Sequence, residues 1–139
     1  MIKYQDNITN VYKKVNNLQE KRDIMVKKQE EMKKIVVEHA RGGLGFIEQL
    51  HFFQQEEMNT KNVKMFAKLT INPGNSIGEH SHDDDEEVIY VLKGKGTFYD
   101  NGVKKELLPG MAAITGGGKS HSIVNEGDEP LEFIALIVK

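Results

Sequence analysis

From Val63 to Ile71 the chain alternates with a period of two. Val63, Met65, Ala67, Leu69 and Ile71 fall on one side, and Lys64, Phe66, Lys68 and Thr70 on the other. Successive side chains of a strand point to opposite faces, so this predicts a half-buried β-strand. Asn72-Pro73-Gly74-Asn75 ends it. Further short apolar runs follow at regular intervals: Val88 to Leu92, Thr97 to Asp100, Val103 to Leu107, Met111 to Thr115, His121 to Asn125 and Leu131 to Val138. Asn101-Gly102, Pro109-Gly110 and Gly127-Asp128 stand between them, and Asn-Gly is a strong signal for a two-residue hairpin turn. Phe46 to Phe53 reads as an earlier strand. Many short strands separated by turns predict a mainly β sandwich or barrel.

The first forty residues follow another rule. They contain neither glycine nor proline, and Tyr4, Ile8, Val11, Val15, Leu18, Met25, Met32 and Val36 follow alternating spacings of four and three, which Arg22 and Gln29 interrupt. A narrow apolar stripe of that period predicts an amphipathic helix. Residues 1–41 carry ten basic against six acidic side chains, and the remainder nine against fifteen. The expected organisation is an N-terminal helical extension over 1–40 and a β-barrel domain over 41–139. Arg41-Gly-Gly-Leu-Gly45 marks the break.

With 139 residues, 38% hydrophobic and 29% charged, the chain has the balance of one soluble domain. A formal net charge of -2 gives no general attraction to nucleic acid or membrane. No apolar run approaches the about 18 residues of a spanning helix, and Met1 to Asn10 has no secretory apolar segment, so a cytoplasmic location is expected. There is no cysteine, so disulfides and thiolate metal sites are excluded. Any metal must be held by nitrogen and oxygen.

Those donors are concentrated in Gly74 to Gly94, GNSIGEHSHDDDEEVIYVLKG. On an extended segment His80 and His82 point the same way, and Glu87 opens the next strand on the face of Ile89 and Val91. Two imidazoles and a carboxylate that converge can bind a divalent cation. Asp83, Asp84 and Asp85 read as a solvated acidic loop, and His39 and His51 as structural. Asn125 reads as a strand-end residue rather than a ligand contact. Gly116-Gly-Gly-Lys-Ser120 imitates part of a phosphate-binding loop, but Ala113 stands where that loop needs its first glycine.

The segment Gly74-(X5)-His80-X-His82-(X4)-Glu87-(X6)-Gly94 resembles the first motif of the cupin superfamily. Gly110-(X5)-Gly116-X-Gly118-(X2)-His121-(X3)-Asn125 is similar to its second, with Gly116 where the family has proline. The resemblance covers residues 40 to 139. It implies a double-stranded β-helix, or jelly roll, with a metal in its mouth. It also implies one divalent ion, a homodimer and the ligands His80, His82, Glu87 and His121, the family spacing to Gly94 favouring Glu87 over the competing Glu86; nitrogen and oxygen donors suit Zn, Mn, Fe, Ni and Co alike. Three consecutive glycines are expected to loosen the turn before His121.

Small cupins include isomerases, decarboxylases and dioxygenases. The first functional expectation is therefore a metal-dependent enzyme acting on a small oxygen-containing molecule. The alternative is a small-ligand binding or sensing module without turnover. No arginine follows Arg41, which counts against an arginine clamp and leaves Lys68, Lys93, Lys95 and Lys119 as the nearest cations to the motifs.

Overall fold

The computed structural model describes residues 7–12 and 25–139. Residues 7–12 are helical. The rest of the described chain forms ten strands: β1 (Lys33–Glu38), β2 (Phe46–His51), β3 (Val63–Ile71), β4 (Ser76–Ser81), β5 (Glu86–Lys93), β6 (Gly96–Asp100), β7 (Val103–Leu107), β8 (Ala112–Thr115), β9 (Ser120–Val124) and β10 (Leu131–Val138). One sheet runs β1-β2-β3-β10-β5-β8 and the other β4-β9-β6-β7, with neighbouring strands antiparallel. Two antiparallel sheets make the β sandwich expected from the strand spacing, in the jelly-roll form that the cupin resemblance implied.

The core follows from the alternation. Ala67, Leu69 and Ile71 of β3 are buried, as are Ile89 and Val91 of β5 and Leu131, Phe133 and Ala135 of β10. β10 lies between β3 and β5, so its inward residues are covered on both flanks: Phe133 pairs with Leu69 and Val91, and Ala135 with Ala67 and Ile89. The second sheet contributes Ile77, Phe98, Leu107 and Ile123.

The helical expectation fails at the end of its stripe. Met25 lies in irregular chain, Met32 follows a single 3-10 turn at Gln29–Glu31, and Val36 sits on β1. Tyr4, Val15 and Leu18 fall outside the described residues. The sequence Lys33-Lys-Ile-Val-Val-Glu38 satisfies both periods. Pairing decides for the strand, because Ile35 and Val37 stand opposite Gln49 and Ile47 of β2 on the inward face. Tertiary burial of an apolar face outweighs a weak local helical preference.

Candidate metal centre

β4 carries two of the four expected ligands, and an irregularity aims them. Ile77 pairs with Ile123 of β9, but the next pair is His80 with His121. Two residues of β4, Gly78 and Glu79, therefore oppose Ser122 alone, which makes a β-bulge. In a regular strand Ile77, Glu79 and Ser81 would share the inner face. The extra residue reverses the alternation, so Ile77 is buried above the bulge and His80 and His82 turn inward below it. His121 follows from the regular alternation of β9, where His121 and Ile123 are both buried. Glu87 leads the inner row of β5 with Ile89 and Val91, while Glu86 faces outward.

The four side chains meet. His121 Nε2 lies 3.1 Å from His80 Nε2 and 3.3 Å from His82 Nε2. Glu87 Oε2 is 2.9 Å from His121 Nε2, 3.0 Å from His82 Nε2 and 3.9 Å from His80 Nε2. One ligand atom from each residue lies within 4.8 Å of all the others. A cation about 2.1 Å from each donor would separate them by about 3.0 Å at right angles and about 3.4 Å at tetrahedral angles. Four of these five separations, 2.9 to 3.3 Å, fit that shell, and the 3.9 Å between Glu87 Oε2 and His80 Nε2 corresponds to a wider angle of about 135°. His82, Glu87 and His121 are buried, and His80 lies at the rim.

The outer nitrogens settle which inner ones are free to coordinate. His80 Nδ1 is 2.8 Å from the Gly78 carbonyl, which can only accept, so this nitrogen donates. His82 Nδ1 is 2.6 Å from Asp85 Oδ1 and donates to that carboxylate. His121 Nδ1 is 2.9 Å from Thr115 Oγ1, on the strand paired with Glu87. In His80 and His82 the Nε2 lone pair therefore points inward, toward the Glu87 carboxylate. Converging lone pairs and an anion are a poor arrangement for a buried site unless a positive charge sits among them. Burial pushes the Glu87 carboxyl upward, but the imidazoles of His121, His80 and His82 around it, in the protonated form whose positive charge an ion would replace, outweigh burial and hold it at about 2. Glu87 is an anion throughout the ordinary pH range.

Other sequence-level candidates fall elsewhere. Glu86 packs against Gly116, where an added Cβ would overlap its Cγ. The turn before His121 is tied down rather than loose: Gly118 N–H donates to the His82 carbonyl and Lys119 N–H to that of Gly116. Gly117 and Gly118 have φ of 62° and 80°, a region that glycine enters without penalty. Asn125 is fully buried, and its side chain bonds to the backbone of Ile71, Gly127 and Glu129. His51 contacts Gln49, and His39 the Gly43 carbonyl. Tyr90 is exposed on the outer face. Lys68 pairs with Glu132.

Arg41 was the residue that sequence reasoning undervalued. It lines a cavity of about 220 Å³ together with His80, Glu87, Gln49 and an apolar wall that includes Val37, Ile47 and Leu69. Arg41 reaches the cavity through a close backbone contact. A Cβ on Gly43 would overlap the Ser76 carbonyl, and one on Gly78 would overlap the Arg41 carbonyl. Ser76 Oγ accepts from Leu44 N–H at 2.8 Å, and Ser76 N–H donates to the Leu44 carbonyl at 3.0 Å. The loop is thereby seated on β4 beside His80. Arg41 itself holds a left-handed conformation, φ 53°, which costs a non-glycine residue about 1 kcal/mol.

The family model described as "Cupin domain" matches residues 67–137. This chain is a member of the cupin family. It is 39% identical over 102 residues to an oxalate-binding protein of Thermotoga maritima, a match covering 73% of this chain and 84% of that protein. Among solved structures, a predicted oxalate decarboxylase from Thermotoga maritima superposes with a TM-score of 0.76 at 37% identity, covering 82% of this cupin and 98% of that chain. A polyketide cyclase from Streptomyces resistomycificus gives a TM-score of 0.71 at 19% identity over 84% of this chain and 80% of its own, a likeness of fold alone.

Proposed function

We propose that this cupin binds one divalent metal ion through His80, His82, Glu87 and His121 and uses it, with Arg41, to hold a small carboxylate anion of the oxalate type. The observation that carries the reading is the position of Arg41, which lines the same cavity as His80 and Glu87. The relative that binds oxalate supports the choice of anion. When bound, the ion supplies Lewis acidity and one or two open coordination positions, since four protein ligands do not fill a five- or six-coordinate shell. Zn, Mn, Fe, Ni and Co all suit the nitrogen and oxygen donors.

The chain's own residues do the rest. Arg41 offers parallel N–H donors that match a carboxylate and remain charged at any physiological pH. Gln49 adds an amide to the polar side of the cavity. Val37, Ile47 and Leu69 add apolar lining, which lowers the local dielectric and strengthens the hold on the anion. The small volume favours a compact ligand over a long-chain one.

The second reading is an enzyme that consumes the anion, favoured by the likeness to a predicted oxalate decarboxylase. Calorimetric titration of oxalate into the Mn(II)-loaded protein tests the first reading, with ¹³C NMR of the same mixture for formate and carbonate. Binding that Arg41→Met weakens at least about tenfold, the order of one charge-assisted pair, supports it. Absence of binding, or binding indifferent to Arg41→Met, contradicts it. Formate that accumulates with time moves the protein to the enzyme reading. We also expect a cytoplasmic homodimer. Tyr90, Leu92 and Ile114, exposed on the outer faces of the paired strands β5 and β8, support self-association, and light scattering checks it.

A further inference from the structure

The three histidines of the centre differ in what holds their outer nitrogens. His80 donates to a backbone carbonyl and His121 faces a hydroxyl, both neutral. His82 alone is bonded to a carboxylate, Asp85 Oδ1, at 2.6 Å. The other oxygen of that carboxylate, Oδ2, accepts from Lys64 Nζ at 2.7 Å. Lys64 lies near the start of β3 in the six-stranded sheet, and His82 directly follows β4 in the other. A continuous chain of charge-assisted hydrogen bonds thus runs from the lysine through Asp85 to the imidazole. Asp83 is bonded instead to Ser81, and Asp84 is exposed. The acidic run is therefore not uniform, because its third member is built into the site.

We propose that Asp85 is a positioning residue of the metal centre, fixing the ring of His82 and making its Nε2 the most electron-rich of the three imidazole donors, with Lys64 holding Asp85 in place. This inference rests on the metal-binding reading above. A carboxylate on the outer N–H of a coordinating imidazole locks the tautomer and raises the basicity of the inner nitrogen, an effect worth about 10- to 100-fold in metal affinity. Lys64 confines the carboxylate to one rotamer and balances its charge. Asp85 can therefore sit beside the ring of His82 without an uncompensated negative charge.

The experiment uses the full chain and Co(II) as the probe. Affinity is measured by competition with a chelator of known strength, and visible absorption reports the ligand field. Asp85→Asn is expected to weaken Co(II) binding about 10- to 100-fold while keeping one ion per chain, and to displace the cobalt bands. Asp84→Asn removes the same charge from the same loop and is expected to stay within about twofold of the parent, with unmoved bands, because exposed charges are screened. Lys64→Met changes neither a ligand nor Asp85 itself but frees the Asp85 carboxylate, and is expected to cost about threefold or more, which reads the chain independently should Asp85→Asn not fold. The proposal is overturned if Asp85→Asn stays within twofold of the parent, if Asp84→Asn loses as much, or if Lys64→Met loses nothing. A parent that takes up no cobalt overturns the metal centre and this proposal together. A parent that binds with Asp85→Asn unchanged overturns this proposal alone.

Discussion

Replacing Asn125 with alanine separates structural from ligand-binding roles within the second motif. Its side chain joins three backbone segments: Nδ2 donates to the Ile71 carbonyl at 2.8 Å and to the Glu129 carbonyl at 2.7 Å, and Oδ1 accepts from Gly127 N–H at 3.0 Å. These bonds pin the end of β3 and the loop that leads into β10, where Leu131 and Phe133 enter the core. The Ile71 bond is buried, and losing its partner costs about 1 to 3 kcal/mol. The other two are half-buried, so water replaces part of each, at about 0.5 to 1 kcal/mol apiece. The expected loss is about 3 kcal/mol, or about 10 °C in Tm for a domain of this size. Urea unfolding of parent and variant should show a lower midpoint with an unchanged slope, since the buried area hardly changes. Metal stoichiometry should stay at one. Asn125→Asp, which turns an oxygen toward two carbonyls, should destabilise at least as much. A loss below about 1 kcal/mol, or weakened oxalate binding at unchanged stability, would refute this account of Asn125.

Two further predictions concern how the cavity is shaped. Gly78→Ala places a methyl against the Arg41 carbonyl and should both destabilise the fold by about 1 to 3 kcal/mol and weaken oxalate binding as the Arg41 loop lifts. A thermal melt beside a titration checks it, and an unchanged affinity would contradict the role given to the close contact. Gly116→Pro restores the usual residue of the family motif but meets Glu86, so it should destabilise alone and do so less when combined with Glu86→Ala. A double-mutant cycle with coupling below about 0.5 kcal/mol would remove Glu86 as the cause.

The four residues of the candidate centre were legible in the sequence because donor type and spacing are local: His80, His82 and Glu87 sit at fixed offsets in one segment, and the resemblance of the second motif added His121. The strands β3 and β10 were legible because their alternation is long and uninterrupted. What decided the remainder was not local. Lys33 to Glu38 satisfies a helical and a strand period alike, and only pairing with β2 chooses between them. The bulge at Gly78 and Glu79 is a difference in count between two strands 40 residues apart, which neither strand carries alone. Arg41 looked remote because the contact that delivers it depends on Gly43 and Gly78, two residues whose missing side chains leave no pattern. Asp85 resembled its two acidic neighbours because a solvated run and an orienting carboxylate read the same until Lys64 is seen beside it.

The central claim is that the four converging side chains hold a metal ion. Metal analysis of protein purified without added metal or a histidine tag, beside His80→Ala and Glu87→Ala, tests it most directly. The account predicts about one ion per chain in the parent and a loss in both variants, since removing one of four ligands weakens the hold enough for the ion to be lost during purification. No ion in the parent, even after soaking with Zn, Mn, Fe, Ni and Co in turn, would contradict it.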